Sequence, residues 1–198
     1  MQTEIEAKFL SIDPDRLRAD LRRVGAVQEY PERLMKRKTF DDRDGRLGKV
    51  GGWVRVRDEG DKVTLSYKQL DDRTLHGTKE VTVTVDDFDA ACAFLTAVGF
   101  KQKSYQETKR EKWTLNNSEI TIDTWPWIPT FVEIESPDDK TLKDIADKLG
   151  FDWKDALHGS VETAYQKHYN VTEDEIDNWK TITFVPVPEW LEAKRKPE

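Results

Sequence analysis

Thr3-Glu4-Ile5-Glu6-Ala7-Lys8-Phe9-Leu10 alternates charged and apolar residues. Side chains of an extended strand point in turn to its two faces, so Glu4, Glu6 and Lys8 share one face and Ile5, Ala7 and Phe9 the other. The same period recurs along the chain. Arg55 and Arg57 oppose Val54 and Val56, while Lys62, Thr64, Ser66 and Lys68 oppose Val63, Leu65 and Tyr67. Glu80, Thr82 and Thr84 oppose three valines, Thr121 and Asp123 oppose Ile120 and Ile122, and Glu133 and Glu135 oppose Val132 and Ile134. Residues 34–41 and 102–115 bring the strand candidates to eight, a number that closes a small barrel.

Glu59-Gly60-Asp61 and Asn116-Asn117 mark hairpin turns between these strands, and Asp44-Gly45 marks another turn. Three amphipathic helices punctuate the series. The first opens at Asp13-Pro14, carries Leu17, Leu21 and Val24, and stops at Gly25. The second spans about residues 87–98 with Ala91, Leu95 and Val98 as its apolar stripe; the third follows Ser136-Pro137 with Leu142, Ile145 and Leu149. Each needs an apolar sheet face to cover. Strand by strand, the alternation also fits a half-solvated sheet with its charges in water. Helices packed outside a barrel on the apolar side turn the charged side into a lumen instead. The expected fold is therefore α+β: an eight-stranded antiparallel barrel with a charged lumen, forming one domain over 1–198. Residues 158–198 read as a helical and tail extension that caps one mouth or docks elsewhere.

Net charge is −7, so the protein as a whole repels nucleic acid, and any bound anion must meet a local cluster of positive charge. Cys92, the lone cysteine, lies in an apolar helical stretch and reads as a buried structural thiol. Neither a signal peptide nor a membrane-spanning run is apparent, and a cytoplasmic, non-membrane protein is expected, as monomer or homodimer. His76, His158 and His168 lack metal-ligand spacing, and Trp125-Pro126-Trp127-Ile128-Pro129 reads as a cover over the end of a core or as a gating loop.

The lumen charges segregate by sign. Acidic residues come from the first and late strands, and arginine and lysine from the middle. Burying them unpaired would cost several kcal/mol each, so such a lumen must be wet or matched by metal cations and a polyanion. Clustered carboxylates suit Mg²⁺ or Mn²⁺. Arginine and lysine suit phosphate oxygens.

Glu4-Ile5-Glu6-Ala7-Lys8 resembles the E-x-E-x-K signature of the CYTH superfamily, the triphosphate tunnel metalloenzymes, which includes class IV adenylate cyclases and thiamine triphosphatases. Trp53-Val54-Arg55-Val56-Arg57 looks like the family's paired-arginine strand, and Thr64-Leu65-Ser66-Tyr67-Lys68 like its lysine strand. Lys109-Arg110-Glu111 resembles its basic strand, Asp123 its later acidic position, and Phe131-Val132-Glu133-Ile134-Glu135 its paired glutamates, in the family's order over roughly 1–150.

The resemblance implies metal-ligand roles for Glu4, Glu6, Asp123, Glu133 and Glu135. It implies phosphate contacts from Lys8, Arg55, Arg57, Lys68, Lys109 and Arg110. Lys109 and Arg110 are adjacent, so a regular strand sends one of them inward, and Arg110 is preferred. Lys36 and Lys38 share a face, and Lys36 is a further phosphate candidate, with a solvated exterior as the alternative for both. The implied activity is metal-dependent hydrolysis of inorganic triphosphate or a small organic triphosphate, with water activated by Mg²⁺ or Mn²⁺, or by Lys8 or Lys68 with a lowered pKa. Two alternatives are a class IV adenylate cyclase, which makes cyclic AMP and pyrophosphate from ATP, and a non-catalytic polyphosphate-binding module.

Overall fold

The computed structural model describes residues 1–197 of the 198-residue chain. Its elements run β1 (Gln2–Glu4), β2 (Glu6–Phe9), α1 (Pro14–Arg23), β3 (Val27–Asp42), β4 (Gly52–Asp58), β5 (Val63–Leu70), β6 (Thr78–Val85) and α2 (Phe88–Ala97). They continue with β7 (Phe100–Leu115), β8 (Ser118–Thr124), β9 (Phe131–Glu135), α3 (Asp139–Lys148), α4 (Glu162–His168), α5 (Glu173–Asp177), β10 (Thr181–Ile182) and α6 (Glu189–Glu192). The antiparallel path is β1-β6-β5-β4-β3-β7-β8-β9-β2. It begins and ends on the same N-terminal segment, because β1 and β2 are consecutive and separated only by Ile5. Glu4 pairs across to Thr78 of β6, and Glu6 pairs across to Glu135 of β9. The N-terminal segment thus bridges the two edges and brings the sheet round into a barrel. Counting it as one strand gives the eight expected; β10 is an addition that pairs in parallel with β7.

Side-chain alternation survives this closure. Ala7 and Phe9 pack with Ile120, Ile122, Val132 and Ile134 of the sheet and with Leu17, Leu21, Leu142 and Ile145 of α1 and α3. Asp13, Asp87 and Asp138 start the first three helices by accepting backbone N–H bonds from the first turn, which fixes where each helix enters the sheet surface. α2 covers Phe40 and Val56 with Cys92 and Leu95. Cys92 is buried, as expected, but Val98, assigned to the buried stripe, is 55% exposed. Val98 is the C-cap residue just past the helix end, and the buried stripe stops at Leu95. Among the described residues no helix covers the outer side of β6, where Val81 and Val83 are about half exposed.

The C-terminal extension lies across one mouth. Lys8 and Leu157 exchange backbone hydrogen bonds, Tyr105 N donates to Lys180 O, and Ser104 Oγ donates to Trp179 O. Tyr165 of α4 and Tyr169 just after it donate their hydroxyls to the Pro126 and Trp127 carbonyls at 2.9 and 2.5 Å. That pins the Trp125–Pro129 turn, in which Trp127 holds a φ of +71°. Trp125 and Ile128 are buried in this second core, so the turn covers a core end. Tyr165→Phe strands one buried carbonyl and should cost about 1–2 kcal/mol in urea unfolding.

Candidate active site

The lumen forms a cavity of about 830 Å³. Glu4, Glu6, Lys8, Arg55, Arg57, Lys68, Arg110, Glu133 and Glu135 line it, so the charged faces do point inward. Asp123 lies behind this surface. It is fully buried and receives Arg110 Nε and Nη2 at 2.7 and 2.9 Å and the Thr121 hydroxyl at 2.6 Å. It therefore orients Arg110. Its two oxygens are committed to that role.

Two expected contacts fall outside. Lys109 faces away from the lumen, half-exposed, 3.7 Å from Glu32. Arg110, its neighbour, takes the inward position, as strand alternation requires. Lys36 is exposed on the outer face of β3, because the inward positions of this strand are Arg37 and Thr39. Several lumen charges were absent from the expected set. Arg37, Glu59, Glu80 and Lys112 all line the cavity. Lys112 lies two residues beyond Arg110 on the same face, so the alternation itself signalled it.

The cations are tied to carboxylates. Lys8 Nζ lies 3.2 Å from Glu6 and 2.9 Å from Glu133, and donates to the Gly159 carbonyl at 2.7 Å. Arg55 pairs with Glu80 at 3.1 Å, Arg57 with Glu59 at 2.6 Å, and Lys112 with Glu119 at 2.5 Å. Lys68 bridges Glu4 at 2.8 Å and Glu80 at 2.9 Å. Burial opposes the charge of Lys8, but Glu133 and Glu6 outweigh it and raise its pKa above the ordinary lysine value. Lys8 is held as a cation in these pairs. Burial likewise opposes the charge of Glu59, yet Arg57 holds its pKa down at about 2.

The acidic side is less well matched. Glu135 pairs across β9 with Glu6 on one side and Glu119 on the other, placing three glutamates on adjacent strands. Burial first, then Glu119, Glu133 and Glu6, pushes its pKa up to about 7. Burial also raises Glu4, whose Oε2 is within 2.8 Å of Lys68 Nζ but makes no well-directed hydrogen bond. Among the described residues, no three acidic, histidine or cysteine side chains converge closely enough to hold an ion as they stand. Like charges forced together, with an undersatisfied carboxylate beside them, nevertheless fit a hard dication in donor chemistry. Glu4, Glu6 and Glu135 are the residues that could supply it. The histidines stay out of this cluster; His158 sits with Nδ1 at 3.1 Å from the Glu6 carbonyl.

Solved structures share this fold at low sequence identity. A proposed adenylate cyclase from Vibrio parahaemolyticus superposes with a TM-score of 0.72 at 15% identity, over 83% of this chain and 98% of that one. The PH1012 protein of Pyrococcus horikoshii gives 0.63 at 22%, over 77% and 93%. A proposed adenylyl cyclase from Hippeastrum, reported to have a dominant triphosphatase activity, gives 0.56 at 14%, over 88% and 94%. No curated protein matches in sequence. At these identities the likeness carries the fold alone. The family comes from the sequence itself: the CYTH domain matches residues 2–169, from the first strand through α4, and the chain belongs to the CYTH family.

Proposed function

We propose that the protein is a metal-dependent triphosphatase acting on inorganic triphosphate or a small organic triphosphate. The observation that carries this reading is the exchangeable ion lattice of the lumen. Lys8, Lys68, Arg55, Arg57 and Lys112 are each paired with carboxylates of the same cavity, and Arg110 with Glu133 of the cavity and with Asp123 behind it. A polyphosphate with its divalent ions can replace those internal pairs. Phosphate oxygens would then take the cations, and Glu4, Glu6 and Glu135 would hold the metal. The cavity thus offers cations to phosphate oxygens and carboxylates to divalent ions, so a highly charged ligand meets partners of both signs.

Mg²⁺ or Mn²⁺, when bound, would supply Lewis acidity at the phosphates and a more acidic water. The chain supplies the rest. Arg55, Arg57 and Arg110 hold the chain of phosphates in line, and their fixed guanidinium groups meet charge that develops on the oxygens as the terminal P–O bond breaks. Water adds to the terminal phosphorus as the bond to the bridging oxygen breaks, and that oxygen keeps the electron pair. Inorganic triphosphate then gives orthophosphate and pyrophosphate, an organic triphosphate gives orthophosphate and the organic diphosphate, and the proton of the water passes to solvent. Hydrolysis needs only the charged lumen, whereas cyclisation of ATP also needs a purine pocket and a group to deprotonate the ribose 3′-hydroxyl, which favours hydrolysis.

Incubation with triphosphate, thiamine triphosphate and ATP in Mg²⁺ or Mn²⁺, followed by product analysis, tests the reading. Orthophosphate release is expected. Cyclic AMP from ATP would replace it with the cyclase, and tight binding without turnover would leave a binding module. Arg57→Ala is expected to weaken substrate use by about 2–4 kcal/mol in kcat/KM, with KM raised and kcat lowered. Unchanged kinetics in that variant would remove Arg57 from the site.

A further inference from the structure

Arg37 is the one lumen guanidinium without a carboxylate within ion-pair distance among the described residues. Its side chain is 6% exposed, lines the cavity, and donates Nη2 to Thr108 Oγ1 at 2.8 Å. Its Nε has no hydrogen-bond partner. The guanidinium carbon lies 4.6 Å from the centre of the Trp125 ring, which fixes its plane. Arg57 is its cross-strand neighbour on β4, and Arg55 and Arg110 are close enough to disfavour its charge, after burial as the main cause. Arg55, Arg57 and Arg110 have Glu80, Glu59 and Asp123 for partners, whereas Arg37 stands among them with none.

A buried cation surrounded by cations is costly to retain unless something anionic arrives. We infer that Arg37 is an additional phosphate-binding residue of the tunnel, held ready by Trp125 and Thr108 and completed only by the bound polyphosphate. This rests on the triphosphate reading above and deepens it by naming a specific anion contact. It also gives the C-terminal extension a part in the site. Tyr165 of α4 and Tyr169 just after it fix the turn that begins at Trp125, and Trp125 supports Arg37. Tyr165, Tyr169 and Trp125 are positioning residues in this scheme.

The test is a thermal-shift titration with inorganic triphosphate, with and without Mg²⁺, on wild type, Arg37→Gln and Arg37→Lys. Arg37→Gln should melt at or above the wild-type temperature without ligand, because it removes an unpaired buried charge. It should bind triphosphate about 30–100-fold more weakly, and Arg37→Lys should recover part of that loss. Arg37→Met is the second neutral variant should glutamine disturb the packing. Wild-type affinity in both neutral variants would overturn the assignment while leaving the triphosphatase reading intact. A lower ligand-free melting temperature with unchanged affinity would mark a structural role and overturn it as well. Failure of the wild type itself to bind triphosphate would sink both.

Discussion

Arg110→Ala is expected to lower turnover by about 100–1000-fold and to destabilise the fold by about 3–5 kcal/mol. Both effects come from one geometry. Arg110 reaches Asp123 through two parallel N–H bonds and also approaches Glu133 at 3.5 Å. Asp123 is completely buried, so truncating its partner leaves an ion in the barrel wall with only the Thr121 hydroxyl to hold it. Burial opposes the charge of Arg110, but Asp123 and Glu133 outweigh it and raise its pKa well above the ordinary value. The two effects separate in a double variant. Arg110→Gln with Asp123→Asn removes both charges and should recover most of the stability, yet turnover stays low because the phosphate contact is gone. Arg110→Lys keeps the charge but loses the paired bonds, and should fall between. Urea unfolding and kcat/KM measured on the same preparations check this. Wild-type stability in Arg110→Ala would show that Asp123 is not held in the way its distances indicate.

The barrel was legible because closure preserves strand alternation. Glu4, Glu6 and Lys8 face the lumen and Ala7 and Phe9 the helices, as reading alternate residues predicts. The same reading failed on β3, where both faces carry positive charge: Lys36 and Lys38 on one, Arg37 on the other. Charge alone does not choose between such faces. The pairing of β3 with β7 also shifts register near Tyr30, Arg33 and Thr39, so counting by twos from either end gives different answers. The start of β3 was hidden as well, because Pro31 and a run of exposed residues mask its strand character. Glu59 looked like a turn residue, yet it is buried against Arg57 and Thr64. The resting place of residues 158–197 had no local signal. It is set by contacts between segments far apart in sequence, such as Lys8 with Leu157 and Tyr169 with Trp127.

The metal reading predicts an unusual pH response for metal-free protein. Glu135, with a pKa pushed up to about 7, and Glu4, also raised, keep protons in the folded state that the unfolded chain releases at ordinary carboxylate values. Buried Glu162, with a pKa near about 7, adds to this with the same sign. The folded state then binds more protons than the unfolded state between about pH 5 and 7.5, so stability falls as pH rises through that window. Glu59, Glu80 and Glu133 have lowered values, so they are ionised in both states there and do not contribute. His168, lowered by burial, opposes the trend. A drop in melting temperature of roughly 5–10 °C from pH 5.5 to 8 is expected in chelator. Mg²⁺ at pH 8 should reverse it, because a dication replaces the protons that relieve the repulsion of Glu135 by Glu6 and Glu119. Its binding should release protons, with affinity rising over the same pH range. Glu135→Gln should flatten the chelator profile and weaken the Mg²⁺ response, while lowering turnover by about 100-fold or more if the carboxylate holds the ion through the reaction. A pH-independent melting temperature that ignores Mg²⁺ and Mn²⁺ alike would show that this acidic ladder does not serve a metal.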